Sequence, residues 1–320
     1  MKLWHVPARA LPVTARPLGG EAVISYARRL AEANELRPTM IMRALGQLNR
    51  GSGYHLLEHD AFLNEQAADR LEAYSGISRA RLARALPALR QQTSGLPLPA
   101  DRPALHVYQP WPRARQACRQ CRLRASGRSG PPVMVLPGAS PLVCQRHKRW
   151  LGTLDETAQY DLSAAAEILT ARRRCTRLLS GSPDRNWAAG IFHTAWNITQ
   201  TWTGCDPRRL PVFSQRWRDR AAALGITAAG HPPEIVTYPE AVMLTAILAD
   251  LNWRRHVAMS WDTGQFYQHV AERLGEKSYP GYYLLRPDPL RAWAENHRAR
   301  FAGIRHRTWG PSLPEIRHFK

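Results

Sequence analysis

Apolar positions at helical spacing dominate the first ninety residues of the chain. In EAVISYARRLAEAN, which we expect to begin a helix at Glu21, apolar side chains recur every three or four residues from Val23 to Leu30. A second helix is predicted to open at Pro38, because proline fits the first turn of a helix. Its buried stripe would consist of Ile41, Leu45 and Leu48.

A helix-turn-helix pattern follows in NEQAADRLEAYSGISRARLARALPAL, residues 64–89. Ser75-Gly76 supplies a tight turn after the first helix, and Ser78 is placed to cap a second helix. Three basic residues would lie mostly on the exposed side of that second helix, where a recognition helix contacts phosphates. They are Arg79, Arg81 and Arg84. An ordinary helical hairpin with a solvated basic face fits the same pattern equally well, so both interpretations stay open.

The second half of the chain has the pattern of a helical bundle. Apolar and aromatic residues at spacings of three and four predict helices over 162–179, 187–202, 239–253, 266–274 and 290–301. We interpret their aromatic side chains as core rather than as platforms for stacking bases. Three consecutive basic residues interrupt the first of these helices and form a second, weaker candidate for phosphate contact. They are Arg172, Arg173 and Arg174.

The predicted fold class is therefore mainly α, in three parts. RQQTSGLPLPADRP, residues 90–103, is a Pro/Gly/Ser linker and marks the clearest boundary. We predict an N-terminal helical domain with the helix-turn-helix, plus linker, over 1–103. A small zinc ribbon or knuckle over 104–151 follows, and then a C-terminal helical domain with a basic tail over 152–320.

The charge balance points to a polyanionic partner. The 320 residues include 45 Lys or Arg and 25 Asp or Glu, a formal net charge of +20. For a soluble protein the commonest such partner is nucleic acid. No apolar run reaches the length of a bilayer span, and the first residues lack the apolar segment of a signal peptide. We therefore expect a cytoplasmic, nucleoid-associated protein that binds DNA and has no membrane partner.

Two doublets of metal-binding residues stand 22 residues apart in CRQCRLRASGRSGPPVMVLPGASPLVCQRH. Cys118 and Cys121 form a C-x2-C pair, and Cys144 and His147 form a C-x2-H pair. Three thiolates and one imidazole suit a tetrahedral Zn²⁺ ion. Because a catalytic zinc normally keeps one position open for water, four protein ligands predict a single structural site.

Signatures of several enzyme classes are missing from the sequence. No H-x-E precedes Cys118, as a zinc deaminase requires, and HExxH, G-x-S-x-G, Walker A and G-x-G-x-x-G are all absent. The two remaining cysteines have no companion that suggests a catalytic nucleophile. The sequence thus predicts a protein without catalytic activity.

The order of these motifs resembles the TniQ family of transposition target-selection proteins. The resemblance rests on GGEAVISYARRLAEANEL near the N-terminus, on RLEAYSGISRARLARAL, and on the cysteine module that ends in CQRHKRWL. It covers residues 16–151, about half of the chain. Two features depart from the family pattern: Arg119 stands where a proline is usual, and the tryptophan between the cysteine pairs is missing.

This resemblance implies an adaptor that helps to select a DNA target and recruits an AAA+ ATPase and, through it, a transposase. An RNA-guided effector complex and a second copy of the chain are further candidate partners. Phosphate neutralisation by the six arginines named above would be the DNA-binding element. The alternative is a stand-alone transcriptional regulator that binds duplex DNA through the helix-turn-helix and the zinc module.

Overall fold

The structure is a computed structural model, and it is mainly helical. It describes residues 2–49, 59–90, 98–108, 110, 113–127, 130–137, 143–151, 159–206, 208–227, 234–284 and 287–307. Most of the predicted linker (91–97) and most of the basic tail (308–320) lie outside these residues. None of the helices in the described part of the chain has the length and apolarity needed to cross a bilayer.

The chain divides into two compact units, residues 1–160 and 161–320. The first unit contains both the predicted N-terminal helical domain and the cysteine module. Its helices are α1 (Val23–Ala33), α2 (Pro38–Leu45), α3 (Glu65–Ser75), α4 (Arg79–Ala85) and α5 (Arg119–Ser126). Its strands are β1 (Gln47–Asn49), β2 (Asp60–Leu63), β3 (Ala104–Tyr108), β4 (Arg115–Gln116), β5 (Met134–Val135), β6 (Val143–Cys144) and β7 (Arg149–Trp150); β8 (Tyr160–Asp161) stands at the boundary.

The helices of the first unit form largely where the apolar spacing predicts them. Every residue of α1 from Val23 to Leu30 is buried except Arg28, and α2 starts at Pro38. The start of α1 is capped from a distance, since Asp60 Oδ1 accepts the Val23 amide at 2.7 Å. Leu48 was predicted on the stripe of α2 but lies in β1, because the helix ends at Leu45.

The predicted helical pair at residues 64–89 corresponds to α3 and α4. Gly76 ends α3 in the left-handed conformation (φ +65°), which glycine adopts without steric strain. Asn64 caps α3 by accepting the Ala67 amide at 3.0 Å. Leu82 and Leu86 are fully buried. The short helix α4 is therefore held by its apolar side, while its basic side chains point away from the core.

A three-stranded sheet, which the sequence did not predict, lies beside these helices. Its order is β1–β3–β2, with β1 parallel and β2 antiparallel to the central strand β3. The predicted boundary between residues 103 and 104 falls immediately before β3. The strand that opens the cysteine module thus completes a sheet begun by the helical region.

Short strands frame the cysteines. β4 pairs antiparallel with β5, and β6 pairs antiparallel with β7 in a sheet of the order β6–β7–β8. The strands β5 and β6, which follow one another in the chain, thus pair with different neighbours. Residues 138–142, between them, lie outside the described residues.

The second unit is a bundle of helices around α9. Its helices are α6 (Ala166–Gly181), α7 (Arg185–Trp202), α8 (Pro211–Ala223), α9 (Glu234–Ala249), α10 (Leu251–Met259), α11 (Gly264–Leu274) and α12 (Pro289–Arg307). α9 is buried on nearly every side and packs against α6, α7, α8, α10 and α11. It is the central helix of the bundle.

Two boundaries in this unit differ from the expectation. Pro239 lies inside α9 instead of opening it, and Arg220 donates to the carbonyl of Val236 in the turn before the proline. The predicted helix 239–253 is divided at Asp250, whose carboxylate accepts the Asn252 and Trp253 amides and starts α10.

Candidate metal centre

Helix α5 and the residue before it provide the first pair of ligands. Cys118 occupies the N-cap position of α5, and Cys121 lies in its first turn. Both sulfurs thus lie at the end of the helix where free amide groups and the helix dipole favour negative charge. Gln159 fixes this end, since its Oε1 accepts the Arg119 amide at 3.0 Å and its Nε2 donates to the Ala117 carbonyl at 2.9 Å.

The hairpin of β6 and β7 provides the second pair. Cys144 ends β6, and His147 lies in the four-residue turn that leads to β7. Cys144 faces Arg149 across the strand pair. Lys148 follows the histidine with φ at +48°, a left-handed conformation that closes the turn and folds the C-x2-H doublet back on itself.

The four donor atoms stand at the spacing of a small tetrahedral site. The Sγ atoms of Cys121 and Cys144 are 3.8 Å apart. His147 Nδ1 lies 3.4, 3.3 and 3.6 Å from the sulfurs of Cys118, Cys121 and Cys144, respectively. Bonds of about 2.3 Å to sulfur and 2.0 Å to nitrogen would place ligands of a tetrahedral ion about 3.8 Å (S–S) and about 3.5 Å (S–N) apart. The residues therefore fit one metal ion held by all four side chains.

The ionisation of the thiols supports the same interpretation. A hydrogen bond from Cys144 lowers the pKa of Cys118 to about 5. The same hydrogen bond raises the pKa of Cys144, and burial raises the pKa of Cys121. One thiolate thus forms easily and opposes ionisation of its two neighbours. A divalent cation removes this opposition, because it stabilises all three thiolates at once.

The second ring nitrogen of His147 is unusual for a metal ligand. Its Nε2 is buried and has no hydrogen-bond partner among the described residues, whereas ligating histidines generally donate this N–H to an acceptor. The ring orientation is therefore set by the turn and by the contacts of Nδ1 with the three sulfurs. Arg122, in the next turn of α5, is buried and donates to the Gly130 carbonyl at 3.2 Å.

A buried ion pair between Glu21 and Arg29 lies at α1, beside the cysteine module. Arg29 and Glu21 have side-chain exposures of 2% and 0% and form two contacts, Nε–Oε1 at 2.8 Å and Nη2–Oε2 at 2.7 Å. Glu21 also accepts the Leu18 amide at 2.9 Å and the Ser25 hydroxyl at 3.1 Å. Each oxygen of the buried carboxylate therefore accepts two hydrogen bonds, so the carboxylate is fully satisfied.

The same side chains reach into the cysteine module. Arg29 Nη1 donates to the carbonyl of Ala125 near the end of α5, at 3.3 Å. Ser25 Oγ accepts the amide of Met134 in β5 at 2.9 Å. We call Glu21, Ser25 and Arg29, with these contacts, the clasp. The sequence showed the three residues as part of a family-like segment, but nothing in its local pattern revealed that they pair or what they touch.

The candidate DNA-contacting arginines of α4 differ in their surroundings. Arg79 is bound to two acids of α3, to Glu65 at 2.6 Å and Asp69 at 3.2 Å. Arg81 and Arg84 are exposed. Arg79 therefore connects α4 to α3. Arg81 and Arg84 are more accessible to an anionic partner than Arg79 is.

The candidate run on α6 is also divided. Arg173 is exposed, with its Nη2 at 3.4 Å from Thr170 Oγ1, whereas Arg172 and Arg174 are half-buried. The Arg172 side chain is directed inward, since it is one of the groups that affect the pKa of the buried Tyr238. The helix α4 belongs to the first unit and α6 to the second.

Searches against protein-family profiles, curated proteins and solved structures find no match to this chain.

Proposed function

We propose that this protein is a non-catalytic adaptor in DNA transposition, of the TniQ type. In this role it would help to select the target site and would recruit an AAA+ ATPase and, through it, the transposase. An RNA-guided effector complex and a second copy of the chain remain candidate partners within the same proposal. The grounds are the motif order of residues 16–151 together with the physical role of the residues that carry it.

The clasp is the observation that carries the proposal. Glu21, Ser25 and Arg29 belong to the N-terminal segment of the resemblance, and they contact the module that holds its metal-binding segment. Two segments separated by about ninety residues thus depend on one buried network. Such dependence is what a shared structural unit requires, and it favours a common origin of the motifs over a chance succession of short matches.

We further propose that the metal is Zn²⁺ and that its role is structural. Three thiolates and one imidazole are a ligand set that zinc prefers, and four protein ligands complete a tetrahedron. When bound, the ion would supply cross-linking of α5 to the β6–β7 hairpin. Zinc K-edge absorption spectroscopy tests this: three sulfurs and one nitrogen are expected, and an oxygen ligand from water would instead favour a catalytic zinc.

The adaptor role predicts binding to two partners at once. Arg81 and Arg84 on α4, with Arg173 on α6, would neutralise phosphates of DNA and give affinity without sequence readout. Paired Arg79 and inward Arg172 would contribute less, and half-buried Arg174 is intermediate. Sequence choice would then come from the associated complex rather than from this chain.

Co-purification with an AAA+ ATPase of a transposition system from the same genome tests the proposal. The full chain is immobilised and offered the ATPase with DNA and a slowly hydrolysed ATP analogue. Retention of the ATPase is expected, and it should weaken in the Arg81→Ala/Arg84→Ala double variant but survive in Arg79→Ala. Failure of the ATPase to bind under any of these conditions would refute the adaptor role.

A stand-alone DNA-binding regulator is the second candidate, favoured by the α3–α4 pair with its exposed arginines. It predicts nanomolar affinity for one duplex, in which each mismatch weakens binding by about 1–3 kcal/mol. Selection of bound fragments from a random duplex pool separates the two functions. Enrichment of a single sequence supports the regulator, and recovery of unrelated sequences supports the adaptor.

A further inference from the structure

The two most exposed large apolar side chains in the described part of the chain lie two residues apart. Trp261 is 91% exposed and lies in the loop that joins α10 to α11, and Met259, the last residue of α10, is 62% exposed. Most tryptophans of the second unit are packed into its core or against neighbouring rings, as the sequence analysis expected. Among the tryptophans that the structure describes in this unit, Trp261 is the exception, and its indole presents nearly its whole surface to solvent.

The loop that carries this indole is held in place. The Ser260 amide donates to the His256 carbonyl at 2.8 Å, and the Ser260 hydroxyl bonds the Asp262 carbonyl at 2.8 Å. Asp262 Oδ1 accepts the Gly264 amide at 2.7 Å, which starts α11. Arg298 of α12 donates from Nη2 to the Ser260 carbonyl at 2.9 Å. A ring displayed on an ordered loop loses little conformational entropy when it binds.

Positive charge lies on one side of the indole. The guanidinium of Arg298 lies 5.8 Å from the centre of the Trp261 ring. Arg255 is exposed and precedes Met259 by four residues on α10, so the two share a face of that helix.

Some of the acidic side chains in residues 251–307 are buried. Residues 251–307 contain ten Lys or Arg and five Asp or Glu. Two of the five acids are buried: Glu276 binds the Phe213 amide, and Asp288 bonds the Tyr279 hydroxyl and caps α12. Asp262, next to Trp261, is exposed and its Oδ1 accepts the Gly264 amide. Burial of Glu276 and Asp288 leaves three exposed acids, Asp262, Glu272 and Glu295, among the ten basic residues of this segment.

We propose that Trp261 is a stacking residue for an unpaired base of a nucleic-acid strand, with Arg298 beside it and Arg255 on the Met259 face of α10 for the neighbouring phosphates. Every base has a π face, so an exposed indole accepts any of them, and arginine contributes both charge and a planar surface. Paired bases in a duplex offer no such face without unstacking. The occupant is thus a single strand.

The test is binding of the full chain to two 12-nucleotide strands, measured by fluorescence anisotropy at fixed ionic strength. One strand is oligo(dT), and the other has the same phosphates but abasic sugars throughout. Trp261→Ala should weaken binding to oligo(dT) about 5- to 100-fold and leave binding to the abasic strand nearly unchanged. Trp261→Phe, which keeps a smaller ring, should lie between Trp261→Ala and the unaltered chain.

Two control variants distinguish base stacking from other effects. One removes a positive charge, and the other removes a different exposed aromatic ring. Arg255→Gln should weaken both strands alike and lower the salt slope by about 0.7. Tyr282→Ala removes another aromatic ring that is 53% exposed, and it should change neither affinity. Since Trp261 contributes little to the core, its variants should keep the melting profile of the unaltered chain.

Equal affinity of Trp261→Ala and the unaltered chain for oligo(dT) would overturn the proposal, as would an equal loss on both strands. Loss of ATPase retention by Trp261→Ala with oligo(dT) affinity intact would also overturn it and assign the surface to a protein partner. The strand assay contains no ATPase. Failure of the adaptor function therefore leaves its outcome unaffected.

Discussion

Substitution of Glu21 by glutamine should destabilise the first unit severely. The change keeps the shape of the side chain but removes the negative charge that faces Arg29, and both side chains are almost completely buried. Removing one member of a buried ion pair typically costs about 3–5 kcal/mol, because the other charge stays in the interior without compensation. The Ser25 hydroxyl and the Leu18 amide would also exchange a charged acceptor for a neutral one.

The assay is urea denaturation of the metal-loaded chain, followed by circular dichroism and by release of zinc to a chromogenic chelator. Circular dichroism reports helices of both units, whereas zinc release reports the cysteine module alone. Because Arg29 and Ser25 reach the module, the zinc-release midpoint should fall together with the first unfolding transition. A loss below about 1 kcal/mol, or an unchanged zinc-release midpoint, would refute the reasoning.

Two other ion pairs provide matched controls. Glu65→Gln breaks the contact with Arg79 at an exposed site, where such pairs contribute about 0–1 kcal/mol. Glu240→Gln breaks the buried pair with Arg220 in the second unit. It should destabilise the second unit by less than Glu21→Gln destabilises the first, because Arg220 keeps Glu167 at 3.0 Å, and it should leave the zinc-release midpoint unchanged. The double variant Glu21→Gln/Arg29→Gln should lose less than the sum of the single changes.

The remaining predictions concern the metal, a buried carboxyl group and DNA. Cys121→Ser should abolish stoichiometric zinc binding in metal analysis, whereas Cys205→Ser, at a buried thiol outside the centre, should retain one ion per chain. Burial raises the pKa of Asp60 to about 7, above its ordinary value near 4. The folded state therefore binds this proton more tightly than the unfolded state does. The free energy of unfolding should fall as the pH rises from about 4 to 7. Asp60→Asn should flatten that part of the urea-midpoint profile, and an unchanged slope would contradict the shift. Arg81→Ala should lower the slope of log affinity against log salt for duplex DNA by about 0.9, and an equal effect of Arg79→Ala would contradict the pairing described above.

Local spacing is sufficient to predict the metal ligands and most helices. Cys118 and Cys121 lie three residues apart, as do Cys144 and His147, so each doublet can converge within one turn whatever the rest of the fold does. Helical periodicity likewise depends only on near neighbours, and α1, α6, α7 and α11 lie within a few residues of their predicted positions. Helix ends were less accurate where a distant side chain or a cap decides them, as at Asp250.

Features that depend on distant partners were not predictable in this way. β1, β2 and β3 are three to five residues long, and they become a sheet only because residues 104–108 return between the other two strands. Arg79 looked like its neighbours Arg81 and Arg84 because its acids, Glu65 and Asp69, lie ten or more residues earlier on another helix. Trp261 looked like any other aromatic residue of the second half, since exposure is a property of the packed unit.

The clasp also changes what loss of the metal should do. From the sequence, the cysteine module was predicted as a separate domain of 104–151, with no contact to the first helix. In the structure, Ala125 and Met134 of the module provide the partners of Arg29 and Ser25, and β3 lies between strands that precede it in the chain. If α5 and β5 shift when the ion leaves, Arg29 loses an acceptor and Ser25 loses a donor inside α1's buried interface, and the charge pair there becomes hydrated. The free energy of metal binding stabilises the folded state of a small module. Because the clasp connects α1 to this module, metal binding should stabilise α1 as well. Chelation should therefore expose amides of α1 to hydrogen exchange as well as those of α5, and protection of α1 that persists without metal would show that the two segments fold independently.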